Sequence, residues 1–110
     1  MTKRSLLLLG VLAMVTLPIA SAKSYDIAFS GPTMVGNTQL PAGQYTLKVE
    51  GSNAVITNDE DNDKSVTAPV KIENVDKKYD ETAVETIQKG DAQHVTVIEL
   101  GGSKTKLDFN

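Results

Sequence analysis

The chain has 110 residues, no cysteine and a formal net charge of −3. This length accommodates a single domain, and a chain without cysteine cannot form disulfide frameworks, thiolate metal clusters or a cysteine nucleophile. Acidic residues outnumber basic ones, 14 against 11. This balance argues against nucleic acid as a partner, because phosphate binding requires clustered positive charge.

The N-terminal segment has the pattern of a secretory signal peptide. Lys3 and Arg4 precede an almost wholly apolar run at 6–17, and the small residues Ala-Ser-Ala follow at 20–22. As a helix the run is about 18 Å long, too short for a hydrocarbon core of about 30 Å. We therefore expect cleavage after Ala22. Residues 23–110 would then be one secreted or periplasmic domain without a membrane span.

Seven segments after the leader predict β-strands, because apolar and polar residues alternate along most of them. The pattern is clearest where Tyr45, Leu47 and Val49 share one face, and the turn residues at 51–53 predict an antiparallel hairpin with the segment that follows. The predicted strands are 25–29, 44–50, 54–57, 66–73, 82–88, 94–100 and 104–110.

Three of these segments carry irregularities. Pro69 cannot donate to a strand ladder, so the segment that contains it is expected at a sheet edge or a bulge. Val84 and Ile87 have opposite parity, which indicates either a bulge or a short strand. Residues 94–100 are apolar on both faces, which is typical of a central strand covered on both sides. Together the segments predict an all-β antiparallel β-sandwich, with a small β-barrel as the second choice.

Residues 40–45 read Leu-Pro-Ala-Gly-Gln-Tyr, which predicts a turn followed at once by a strand with an inward tyrosine. The stretch at 40–49 resembles the LPxGxYxV signature of carboxypeptidase-regulatory-like, transthyretin-like and Cna-B-like β-sandwich modules. In length and layout the chain is also similar to small secreted bacterial β-sandwich proteins with an LPAGxYxV motif. This resemblance implies a non-enzymatic accessory or adhesive module and supplies no catalytic residues.

The loop at 58–65 concentrates carboxylates that could act as oxygen ligands for Ca²⁺. The candidate ligands are Asp59, Asp61 and Asp63. An EF-hand loop would require glycine and glutamate where Lys64 and Val70 stand. We therefore interpret the segment as a solvated acidic turn, with weak calcium binding as the alternative.

The residues that could support hydrolysis are few. His94 is the sole histidine, which rules out a two-histidine zinc site and leaves one residue for any serine triad. A carboxylate pair for glycosidase chemistry could arise if Asp80, Glu81 or Glu85 approaches Asp76 or another acid across the sheet. We predict that the protein is not an enzyme and needs no cofactor.

The loop at 75–82 is a candidate contact surface, because it places Tyr79 in a polar segment beside Lys77 and Lys78. With Asp61 of the acidic loop, these residues are our candidates for binding a partner, either a protein or a component of the cell envelope. The sequence thus favours an exported, non-enzymatic binding or structural module that acts through surface loops. A carrier of a small apolar ligand is the first alternative, and a carboxylate-dependent hydrolase is the second.

Overall fold

The computed structural model describes residues 23–109, which form an all-β fold and contain ten strands. In chain order these are β1 (Ser24–Phe29), β2 (Thr33–Val35), β3 (Thr38–Leu40), β4 (Gly43–Glu50), β5 (Asn53–Asn58), β6 (Ser65–Pro69), β7 (Lys71–Asn74), β8 (Ala83–Lys89), β9 (Ala92–Glu99) and β10 (Thr105–Asp108).

The strands form two sheets. One has the order β1-β4-β5-β6, and the other has the order β3-β2-β9-β10-β7, with β8 added along β9. All pairings are antiparallel except that of β2 with β9, where Thr33 lies opposite Gln93. This parallel pair is possible because the long connection through β3–β8 brings the chain back beside β2.

The strand count differs from the predicted seven for two reasons. Strands β2 and β3 have three residues each, too few for alternation to be recognised. The segment predicted as one strand at 66–73 is divided at Val70, so that β6 belongs to the four-stranded sheet and β7 to the six-stranded sheet. Strand β6 is an edge strand, which confirms the predicted edge position of Pro69.

The chain passes between the sheets at three places, and a proline stands at each. Pro32 precedes β2, Pro41 follows β3, and Pro69 ends β6. Proline has no backbone N–H and a restricted φ, so it interrupts a ladder. Directly after the third crossing, the Val70 N–H donates to the Ser52 carbonyl at 2.9 Å. This bond connects the residue before β7 to the turn between β4 and β5 of the four-stranded sheet.

The core lies between the two sheets and is built from residues that alternate along their inner faces. Both sheets contribute to one cluster of buried side chains. Its members are Ile27, Phe29, Val35, Leu40, Tyr45, Leu47, Ala54, Ile56, Ala68, Val95, Ile98, Leu100 and Leu107. Burial of apolar surface contributes about 25 cal/mol per Å², so this cluster is the main stabilising feature of a domain without disulfides.

A bulge in β9 explains why its apolar residues fall on alternate parities. Glu85 of β8 pairs with Val97 and the next residue, Thr86, pairs with Val95, so Thr96 is the extra residue. Its hydroxyl donates to the Glu85 carbonyl at 3.1 Å. A bulge shifts the side-chain alternation by one residue, which lets both Val95 and Ile98 enter the core. The bulge predicted for 82–88 thus lies in the partner strand, and Val84 and Ile87 differ in parity because Ile87 faces outward. The two apolar faces of 94–100 reflect this bulge rather than a second covering layer.

Tyr45 links the core to the second of the three crossings. Its side chain is 0% exposed, and its ring lies 4.9 Å from the Phe29 ring, centroid to centroid. The hydroxyl donates to the Pro41 carbonyl at 2.6 Å. Pro41 lies on the connection from β3 to β4. One buried hydrogen bond therefore fixes the position where the chain changes sheets, and the inward tyrosine of the turn motif is confirmed.

Replacing Tyr45 by phenylalanine should lower the free energy of unfolding by about 1–2 kcal/mol, because the Pro41 carbonyl loses its partner while the ring still packs. Urea denaturation measures this change. The matched control is Tyr25→Phe, since Tyr25 packs against the core but its hydroxyl has no hydrogen-bond partner among the described residues. Equal losses for the two variants would contradict the proposed contribution of the Tyr45 hydroxyl.

Candidate functional site

The acidic loop between β5 and β6 is organised by its own side chains. The Asn58 side-chain oxygen accepts from the backbone N–H groups of Glu60 and Asp61 at 2.8 and 2.9 Å, and the Asp61 carboxylate accepts from the Asp63 N–H at 3.0 Å. Asn and Asp side chains commonly stabilise turns in this way. The Asp61 carboxylate is thus engaged in the structure of the loop.

Asp59 points to β4 rather than to the other acids of its loop, since its carboxylate accepts from the Thr46 hydroxyl at 2.6 Å. Within residues 23–109, no three His, Asp or Glu side chains are grouped so that they could hold a metal ion. The structure therefore does not bring the candidate ligands Asp59, Asp61 and Asp63 together into a calcium site.

The second candidate loop is fixed against the turn between β9 and β10. The Tyr79 N–H donates to the Ser103 carbonyl at 2.9 Å, and the Gly102 N–H donates to the Tyr79 carbonyl at 2.8 Å. Tyr79 is half-buried, whereas Lys77 and Lys78 are exposed. The two loops predicted as contact surfaces are therefore anchored on different sheets. The loop at 75–82 is held on the six-stranded sheet, and the acidic loop at 58–65 is held on β4 of the four-stranded sheet.

Gly101 allows this close approach of the loop at 75–82. A Cβ atom at this position would lie 2.5 Å from the Thr82 nitrogen and 2.6 Å from the Glu81 carbonyl carbon. These are backbone atoms, which cannot rotate away. The Gly101 N–H also donates to the Thr82 hydroxyl at 2.9 Å, so the contact is both close and hydrogen-bonded.

Replacing Gly101 by alanine should lower the free energy of unfolding by about 1–3 kcal/mol, because the methyl group displaces the backbone of the loop. Thermal and urea unfolding measure the loss. Gly31→Ala is the matched control, since a Cβ there meets no atom within 4 Å, and it should be nearly neutral or slightly stabilising. A Gly101 variant as stable as the Gly31 variant would refute the crowding at this turn.

Sequence reasoning missed an inter-sheet cleft of about 480 Å³. It opens between the end of β1, with the turn that follows, and the β8–β9 hairpin. Half of its lining residues have neutral hydrogen-bonding side chains, and Phe29 and, at the hairpin tip, Asp91 also line it. The polar lining residues include Ser30, Thr33, Gln39, Thr86, Gln88 and Gln93.

A chain of hydrogen bonds holds the hairpin side of this inter-sheet cleft. The Thr86 hydroxyl donates to the Gln93 side-chain oxygen, and the Gln93 side-chain NH₂ donates to the Gln88 oxygen at 2.9 Å. The Gln88 NH₂ in turn donates to the Gly90 carbonyl at 3.0 Å. Gln93 lies at the centre of this series of hydrogen bonds and fixes the orientation of the Thr86 and Gln88 side chains. Each amide keeps further donor or acceptor capacity for a ligand.

The structure brings one of the predicted acids, Glu85, to another acid across the sheet, namely Glu99 rather than Asp76. Glu85 hydrogen-bonds with Glu99 of the neighbouring strand, and burial, this hydrogen bond and the Glu85 charge together raise the pKa of Glu99, while Lys106 opposes the shift. Glu85 pairs with Val97, and Val97 and Glu99 both neighbour the inward Ile98 along β9, so the pair lies on the outer face of the six-stranded sheet. The carboxylates of the pair do not line the inter-sheet cleft.

The raised pKa of Glu99 means that the folded state binds a proton more readily than the unfolded state. Stability should therefore fall as the pH rises above the ordinary pKa of 4.5 and through the raised value. Glu99→Gln removes this loss, so its melting temperature at neutral pH should exceed that of the parent protein, with a flatter profile between about pH 4.5 and 7. Scanning calorimetry measures both, with Glu50→Gln as a control of equal charge change. A profile unaltered by Glu99→Gln would contradict the coupling.

No family model, curated protein or solved structure matches this chain. Residues 23–109 contain no helix long and apolar enough to cross a membrane. The segment predicted as a signal peptide, 1–22, lies outside the described residues. Of the remaining candidates, His94 is half-buried near the start of β9, where it lies beside Met34 of β2 and Ile87 of β8.

Proposed function

We propose that this protein is an exported, non-enzymatic binding module that recognises a neutral, hydrogen-bonding partner through the inter-sheet cleft. The observation that carries the proposal is the chain of hydroxyl and amide groups from Thr86 through Gln93 to Gln88. In this proposal the inter-sheet cleft, and not the loops at 58–65 and 75–82, is the contact surface. The partner class follows from the lining, and a hydroxyl-rich carbohydrate of the cell envelope fits it.

The chemistry of the cleft supports a neutral partner. Hydroxyl and amide groups both donate and accept, and this matches the alternating donors and acceptors of a saccharide. A charged ligand would instead favour charge-assisted contacts of the opposite sign. Asp91 stands at the hairpin tip of the cleft, where it would disfavour anionic ligands.

The organisation of the cleft supports binding as well. Because Gln93 holds Thr86 and Gln88 before any partner arrives, part of the entropy of ordering these side chains is already lost in the free protein. The turn after β1 is also held, since the Thr33 hydroxyl donates to the Gly31 carbonyl at 2.9 Å. Preorganised groups of this kind give a partner more net affinity for the same contacts.

The interior supports a binding surface over the alternative of an apolar-ligand carrier. The large side chains Tyr45, Leu47, Ile56, Ile98 and Leu107 are all 0% exposed and occupy the space between the sheets. A carrier would need that space for its ligand. The second alternative, a carboxylate-dependent hydrolase, would have to use the Glu85–Glu99 pair, which lies outside the inter-sheet cleft.

Titration of the ¹⁵N-labelled exported protein with a panel of neutral oligosaccharides should move the backbone NH signals of Thr86, Gln88 and Gln93 and the side-chain NH₂ signals of the two glutamines. Gln93→Ala should weaken the binding about tenfold, because it removes one contact and releases both neighbours. NMR spectroscopy measures both effects.

Gln44→Ala is the matched control for this titration, since Gln44 is exposed on β4 and does not line the inter-sheet cleft. Its affinity should equal that of the parent protein. Signals that move only in the loops at 58–65 or 75–82 would overturn the assignment of the cleft and return the contact surface to those loops.

A further inference from the structure

Strand β8 has a free edge. Five strands lie at the edges of the two described sheets, namely β1, β3, β6, β7 and β8, and β8 is the longest of them, with seven residues. It pairs with β9 on one side only. A long edge strand presents unpaired N–H and C=O groups that can extend a sheet onto another chain.

The outer face of β8 carries an apolar side chain between two opposite charges. The pairing with β9 places Glu85, Ile87 and Lys89 on this face, two positions apart. Ile87 is 46% exposed. It continues a row that begins with Met34 and His94 on the same face, so the apolar surface extends to the edge of the sheet.

We propose that two copies of this protein join their β8 strands about a twofold axis at Ile87, which forms one continuous antiparallel sheet. In this register Glu85 lies opposite Lys89 of the second copy, and Lys89 lies opposite Glu85 of that copy. Ile87 lies opposite its own counterpart. Opposite-charge cross-strand pairs stabilise a sheet, and symmetry provides two such pairs.

Other registers do not give this complementarity. An axis at Thr86 would place Glu85 opposite Ile87 and leave Lys89 opposite Ala83, so both charges would lose their partners. An axis between two residues would set the outward side chains of one copy against the inward side chains of the other. The charge pattern of β8 therefore selects the second copy, in one register, as the occupant of this edge.

The electrostatics of the outer face agree with this arrangement. The Glu85–Glu99 pair concentrates negative charge beside the free edge. Lys89 of the second copy would approach this pair and offset that charge. Strand β6, by contrast, ends in Pro69, which cannot donate to an added strand.

The dimer goes beyond the proposed binding function and stands independently of it. Its interface uses the backbone edge and the outer face of β8, whereas the inter-sheet cleft uses the inward residues Thr86 and Gln88. In the dimer, Thr86 lies opposite Gln88 of the second copy. The two clefts would thus open side by side, so that one long polymer could occupy both.

Charge reversal tests the register directly. In sedimentation velocity experiments the exported protein should show a dimer that increases with concentration. Glu85→Lys and Lys89→Glu should each weaken association about tenfold or more, since each places like charges opposite one another twice. An equimolar mixture of the two variants, and the double variant, should recover the parental affinity. Lys48→Glu, on exposed β4 surface, should leave it unchanged.

A second measurement uses the absence of cysteine in the chain. Ile87→Cys should form a disulfide-linked dimer under mild oxidation, because opposed residues in an antiparallel pair have Cα atoms about 4.5–5.5 Å apart, within disulfide range. Thr67→Cys, exposed on the β6 edge, should not form a disulfide-linked dimer under the same conditions. A parent protein that is monomeric at every concentration, or a mixture of charge variants that fails to associate, would overturn the proposal whether or not the cleft binds its partner.

Discussion

With no cysteine for a disulfide, the two sheets are held together by one shared apolar interior and by three chain crossings between them. Proline marks each crossing, since it ends one ladder and leaves the chain free to begin another. The crossing at Pro41 is also held by a hydrogen bond, because the hydroxyl of the buried Tyr45 donates to the Pro41 carbonyl. This contact connects the entry of β4 to the shared apolar interior.

Much of this fold could be predicted from alternation alone. The strands that carry Ile27, Tyr45, Leu47 and Leu107 show period two, and these residues are buried as the pattern requires. What alternation does not reveal is where a strand leaves its sheet. The residues on either side of Val70 continue one alternating pattern in sequence but belong to different sheets. Alternation indicates which side chains face the core, but it does not indicate which strand lies beside them.

The inter-sheet cleft escaped prediction for a related reason. The inward positions of β8 change from apolar Val84 to polar Thr86 and Gln88 towards the hairpin, which is a signal that the interior opens there. This change can be recognised only once the structure shows which side of β8 faces inward, and the bulge at Thr96 in the paired strand fixes that side. The loops at 58–65 and 75–82 were predicted as contact surfaces from their charged composition. Composition does not distinguish a turn that is stabilised by its own side chains from a turn that binds a partner.

The parallel pair of β2 and β9 has a kinetic consequence. Thr33 near the start of the domain must meet Gln93 near its end, so the central strand of the larger sheet docks only after nearly the entire polypeptide is present. Closing such a long loop is entropically unfavourable before any contact compensates it, and topologies of this kind fold slowly. Slow folding leaves a newly made chain unfolded for longer, which would suit the export that we propose for this protein.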